Sequence, residues 1–173
     1  MKKVEDGFLC GAATSGHQTE GNNIHSDYWL MENMKYTDFN EKSGLAVDHY
    51  NRYREDIDLL KKAGLNAYRF CIEWARIEPE EGVFDEKEID HYRDVLSYMK
   101  EKEITPIVTL MHFTSPSWLI KKGGWSGKDT PFYFERYVSF VIEKIGDLIP
   151  YVVTLNEANM GVQVGSIALR YRK

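Results

Sequence analysis

Near the end of the chain, Asn156 and Glu157 follow the β-branched run Val152, Val153 and Thr154. A carboxyl group at the mouth of a buried strand, half-shielded by aromatic rings, can have its pKa raised enough to serve as a general acid. The amide beside it suits a substrate hydroxyl. The same carboxylate also suits a cap on whatever element follows. Arg69 lies inside the apolar run AYRFCIEW, where a charge is costly unless it is paired. Strand alternation puts Arg69, Cys71 and Glu73 on one face. Two readings follow: a buried Arg69–Glu73 ion pair, or an arginine that holds an anionic carboxylate in a cleft. His112 closes a third apolar run, and Gln18 and Glu20 follow the first. These groups suit acid–base cleavage of a polar bond. Such chemistry usually needs a second carboxylate besides Glu157.

Four apolar runs must carry these residues: Phe8–Ser15, Ala67–Trp74, Thr105–His112 and Tyr151–Glu157. The last three are nearly continuous rather than alternating, as in parallel strands covered on both faces. Three helical patterns separate them. Tyr50, Tyr53, Ile57 and Leu60 mark a helix over about 48–63, with Gly64 as its stop. Asp85 and Glu88 offer a capping box to a helix striped by Ile89, Tyr92, Leu96 and Met99. Thr130 and Pro131 offer a cap and a first-turn proline to a helix striped by Phe134, Tyr137, Val141, Ile145 and Leu148. The order is β-α-β-α-β-α-β. Right-handed crossovers then give either an open doubly wound sheet or a piece of a (β/α) barrel. GAATSG after the first run is not a dinucleotide-binding fingerprint, which weakens the first choice. The links from strand to helix are long, and those from helix to strand are short. In a barrel the long ones gather at the C-terminal strand ends, where active sites sit.

Composition sets the frame. The 173 residues are 43% hydrophobic and 28% charged, as in an ordinary globular domain. A net charge of −5 argues against nucleic acid as the main partner. Aromatic residues make up 13% of the chain, which fits either a large aromatic core or a cleft that stacks on sugar rings. Cys10 and Cys71 both lie in apolar runs and are expected to be buried, in a reducing compartment. Glu5 and Asp6 stand where a secretion signal would be apolar, and no run approaches membrane-spanning length. A cytoplasmic protein without membrane contact is expected.

The segments FLCGAATSGHQTEG, DHYNRYREDIDLLKKAGLNAYRFCIEWARIEP, PIVTLMHFTSPSWL, GGW and TLNEAN together resemble the N-terminal part of family 1 glycoside hydrolases, the β-glucosidase and 6-phospho-β-glycosidase family. The resemblance runs in order through nearly all of residues 7–160. It implies a (β/α)8 barrel of the TIM type, of which about the first four β/α units are present. It also implies retaining hydrolysis of β-glycosides or 6-phospho-β-glycosides, with no cofactor and no metal. By motif position, Glu157 resembles the general acid/base and Asn156 the residue on the sugar 2-hydroxyl. Gln18 and His112 resemble partners of the sugar's other hydroxyls, and Arg69 the arginine that steadies the nucleophile carboxylate. Trp125, in a loop near that site, is a secondary candidate.

This sequence departs from the pattern in places. Ala158 stands where the family usually has proline, and Cys71 replaces a common serine. After Met160 the likeness fades, so 161–173 reads as a divergent tail on a single partial domain. The family's second carboxylate lies in a Thr-Glu-Asn-Gly-like motif on a late strand, and these residues contain no such motif. Retaining hydrolysis needs that group about 5–5.5 Å from the first. The expectation is therefore a half-barrel with the acid/base but without the nucleophile, inactive by itself. A complementing C-terminal half or self-association are two ways to complete it. In a closed homodimer, however, the seventh-strand position would be filled by a strand ending in His112. The alternative reading is a non-catalytic half-barrel that binds sugar or a partner chain.

Overall fold

Four short strands, all parallel, form one sheet in the order β1-β2-β3-β4. The structure is a computed structural model and describes Glu5 and residues 7–160. The predicted tail, 161–173, lies outside the described residues. The strands are β1 (Gly11–Ala13), β2 (Ala67–Cys71), β3 (Thr105–Thr109) and β4 (Tyr151–Val153). The helices are α1 (Gly16–Thr19), α2 (Asp27–Glu32), α3 (His49–Lys62), α4 (Trp74–Ile77), α5 (Glu86–Glu101), α6 (Ser117–Ile120) and α7 (Thr130–Ile145). The three long helices stand where the apolar spacing predicts them. Sequential strand order excludes the doubly wound alternative, whose order reverses at a switch point. It is the order of consecutive β/α units in a barrel.

The helix-facing side of the sheet is closed over β2 and β3. Tyr68, Phe70 and Ile72 from β2 and its extension meet Val108 and Leu110 from β3 and its extension. Against them pack Tyr53 and Ile57 of α3, Ile89, Tyr92, Leu96 and Met99 of α5, and Tyr137, Val141 and Ile145 of α7. Each such side chain contributes about 1.5–3 kcal/mol when fully buried. The aromatic residues resolve largely in favour of this core. Trp74 is 1% exposed and stacks on Tyr137 at 5.3 Å.

Local signals hold in part. Gly64 ends α3 at φ +80°, with the Leu65 amide donating to the Leu60 carbonyl, a stop that favours glycine. The Asp85 carboxylate caps α5 by accepting from the Lys87 amide. Glu88 does not complete the expected capping box; it turns into a polar cavity with Arg76, Asn22 and Tyr50. Thr130 is not a cap but the first residue of α7, after Asp129, and its hydroxyl donates to the Gly124 carbonyl at 2.6 Å. Cys71 is buried as expected, but Cys10 is exposed, because the first apolar run forms only the three-residue edge strand Gly11–Ala13. Gly11 is required there. A Cβ would sit 2.2 Å from the Ala67 carbonyl oxygen of the neighbouring strand.

Candidate active site

The loops that follow the strands meet at one end of the sheet. Backbone bonds continue the ladder past the formal strand ends: Thr14 N–H to the Arg69 carbonyl, Ile72 to Thr109, Leu110 to Val153 and Asn156 to Met111. The chain is therefore still docked where the chemistry-bearing residues emerge. Glu157 and His112 lie beyond the strands rather than at their last residues, since β4 ends at Val153 and β3 at Thr109. The second and third runs stay apolar past their strand ends because Ile72 and Leu110 are buried there.

Arg69 bonds two side chains, one on β3 and one beyond β4. Its Nη2 donates to Asn156 Oδ1 at 2.6 Å and its Nε to Thr109 Oγ1 at 2.8 Å. The Arg69–Glu73 pair, one of its two readings, does not form. Among the described residues Arg69 makes no ion pair at all. Strand alternation fails as a guide here because β2 ends at Cys71 and Glu73 is already the residue that leads into α4, its carboxylate turned to Asn23 and Thr114. A half-buried guanidinium is left with two neutral acceptors, a setting that favours an incoming anion.

Around that bond stand the other candidates. Asn156 is buried at 8% exposure, while Glu157 beside it is exposed. The aromatic shielding expected for Glu157 is not supplied by the described residues. Glu157 takes φ +45° and Phe113, next to His112, takes φ +69°. Such backbone costs about 1–3 kcal/mol per residue and persists only where surrounding structure imposes it. His112 is half-buried, and its Nδ1 has no partner among the described residues. Burial and the Arg69 charge hold its pKa below the ordinary histidine value, against a smaller opposing pull from Glu157. Gln18 sits on α1, exposed, with its Oε1 accepting from the Ser15 hydroxyl at 2.8 Å. Trp125 is placed differently. Its ring packs edge-on against Trp74 and Phe134, and it lines a cavity of about 420 Å³ with Thr154 and Leu155, behind the Asn156–Glu157 segment. A second cavity of about 570 Å³ lies at the opposite strand ends, beside the unpaired β4 edge, and has no site residue in its lining.

A model of glycosyl hydrolase family 1 matches residues 1–171. The chain belongs to glycosyl hydrolase family 1. It is 38% identical to a 1,4-β-D-glucan glucohydrolase from Thermotoga neapolitana, over 96% of this chain and 41% of that protein. It is 37% identical to β-glucosidase A from Thermotoga maritima, over 96% and 39%. The crystal structure of β-glycosidase BGL167 superimposes with a TM-score of 0.91 at 51% identity, over 95% of this chain and 39% of that one. The Thermotoga maritima β-glucosidase in complex with cyclophellitol gives 0.90 at 37%, over 95% and 39%. The chain thus spans about two fifths of the length of the relatives it matches. As in those neighbours, the fold is of the (β/α)8 barrel type, with four β/α units present.

Sequence reasoning misses the layer beneath the candidate site. Buried and half-buried carboxylates tie the rim together. Asp27 accepts from the amide and hydroxyl of Ser115. Glu20 pairs with Arg76 at 2.8 Å and accepts from the Tyr92 hydroxyl. Glu78 accepts from Trp74 Nε1 and pairs with Arg136. Glu73 accepts from Asn23 and Thr114. The available signal was the one that marks Arg69, a charge flanked by apolar residues: Glu73 stands between Ile72 and Trp74. Among the described residues no group of three His, Cys, Asp or Glu side chains is arranged to hold a metal ion.

Proposed function

We propose that these residues form the acid/base-bearing half of a retaining β-glycosidase site. The observation that carries it is the Arg69–Asn156 bond, made by a guanidinium without a counter-ion, with Glu157 as the next residue. In this reading Glu157 protonates the departing glycosidic oxygen and later deprotonates the attacking water. Asn156, held by Arg69, binds the sugar 2-hydroxyl, and Gln18 and His112 bind the other hydroxyls. The unpaired charge of Arg69 receives the nucleophile carboxylate, and Trp125 supports the Thr154–Glu157 segment from behind. The substrate is a β-glycoside, plain or 6-phosphorylated, met in the cytoplasm. Among the described residues no helix is long and apolar enough to cross a membrane.

The nucleophile is supplied by a polypeptide segment other than these residues. The 173-residue chain by itself therefore gives no burst of aryl alcohol from an activated aryl β-glucoside. Joined or mixed with a segment that carries the later strands and their carboxylate, it hydrolyses the same substrate. A stoichiometric burst from the chain alone overturns this reading, as does complementation that works equally well with Glu157→Ala on an unactivated glycoside.

A further inference from the structure

We infer that Glu73 is a positioning residue: it touches no substrate, but its carboxylate fixes the spacing between the two loops that carry Gln18 and His112. The inference rests on the roles proposed above for those two residues. Glu73 is 1% exposed. Its Oε2 accepts from Asn23 Nδ2 at 2.8 Å and from Thr114 Oγ1 at 2.7 Å. Thr114 lies two residues after His112, with the φ +69° of Phe113 between them. Asn23 lies five residues after Gln18. Two residues before Gln18, Gly16 packs so closely on the carboxyl that a Cβ would stand 2.4 Å from Glu73 Oε1. The loop of Gln18 is thus held on both sides of it, and the loop of His112 just beyond it, by one side chain.

Glu73 is itself anchored. Its backbone N–H donates to the Tyr92 hydroxyl of α5 at 3.1 Å, and that hydroxyl donates to Glu20. An apolar residue would fill this place at lower cost, as its neighbours Ile72 and Trp74 do. A buried carboxylate carries a desolvation penalty of several kcal/mol. What only a carboxylate or an amide provides is an acceptor for two donors from two different loops at once.

The experiment uses the 173-residue chain, with NMR of the Gln18 side-chain amide and the His112 imidazole and with D-glucose as the binding probe. Glu73→Leu, which keeps bulk and removes the acceptor, is expected to shift both sets of resonances and to weaken D-glucose binding at least tenfold. Glu73→Gln, whose amide oxygen still accepts both bonds, restores the resonances and brings affinity back to within about threefold. Thr114→Val, which cuts one tether, moves His112 and leaves Gln18 in place. Unmoved resonances in Glu73→Leu overturn the inference, as does a shift that Glu73→Gln fails to restore. Should Glu73→Leu not fold, an unmoved His112 in Thr114→Val overturns it. Resonances that respond as stated in a chain that does not bind D-glucose support the positioning role and overturn the sugar-site reading instead.

Discussion

The two faces of the sheet are in different states of completion. Toward the helices, Tyr68, Phe70 and Val108 are 3%, 3% and 0% exposed, under three long helices. On the other face, Arg69 and Ile107 are half-buried, and Tyr151 in the same register row is 52% exposed. Over β2 and β3 the first face is closed by these residues, while at the edge Val152 of β4 is 42% exposed. The second holds the proposed chemistry; Cys71 and Thr109 are buried on it, and the row from Arg69 to Tyr151 is open. The rim stands between the two states: its carboxylates are paired internally, and the proposed site groups Gln18 and Glu157 are exposed. Over its two central strands, therefore, the chain completes the dry outer layer and leaves the inner layer open along the Arg69–Ile107–Tyr151 row.

The contrast is sharpest at Trp74. It is fully buried on the helix side, stacked on Tyr137 and bonded through Nε1 to Glu78 at 2.8 Å. Trp74→Ala is expected to cost about 3–5 kcal/mol, the range for large aromatic truncations in packed cores. Chemical denaturation of the chain checks this. A loss below about 1 kcal/mol would mean that the helix side is no better closed than the inner one.

How far the sequence discloses this architecture follows from what hydrophobicity reports. It reports burial, not pairing. The three long helices are legible because their stripes bury on one side only. The strands are placed correctly but read too long: Ile72 and Leu110 are buried past the last residues of β2 and β3, where only single backbone bonds to Thr109 and Val153 continue the ladder. Cys10 is misread for the opposite reason, since the run holding it forms an edge. The site residues are legible by type and order, but their partners are not. Whether Arg69 meets Glu73 or Asn156 depends on where β4 docks, 87 residues later in the chain. The rim carboxylates share that obstacle, because each takes a donor from a residue distant in sequence.

The outer layer and the rim should also respond to pH with opposite signs. On the outer side, His91 stacks on Tyr50 at 3.8 Å and lies edge-on to Tyr53; burial and the Arg76 charge lower its pKa to about 4. Between pH 6.5 and 4 the unfolded chain takes up a proton that the folded chain refuses, so stability falls as pH falls. The loss is bounded at roughly 3 kcal/mol by 1.36 kcal/mol per pKa unit. At the rim, burial raises the Glu20 carboxyl to about 7 despite its pairing with Arg76. Burial raises the Glu73 carboxyl as well. Between pH 4.5 and 7 the folded chain holds a proton that the unfolded chain has lost, so here stability falls as pH rises. Because the windows overlap, the variants separate them. His91→Gln flattens the acid side of the stability profile, and Glu20→Gln flattens the approach to neutrality. Identical profiles for both variants and the parent would remove the proposed difference between the layers.

The smallest effect is expected where the inner face is most open. Tyr151→Thr keeps a good strand former at β4 and removes a ring that is half in solvent. In the 173-residue chain it should change stability by no more than about 0.5 kcal/mol, as surface substitutions do. The same substitution gains meaning when the inner face is covered. In a preparation completed by a segment bearing the later strands, the ring becomes interior and its loss should cost about 1.5–3 kcal/mol, the worth of burying a large side chain. The difference between the two measurements reads directly how far the second face has been closed. Equal small costs in both would mean that the complementing segment restores activity, if it does, without packing against β4. Equal large costs would mean that Tyr151 is already covered in the chain alone, by a second copy of it, and that the two faces are less different than they stand here.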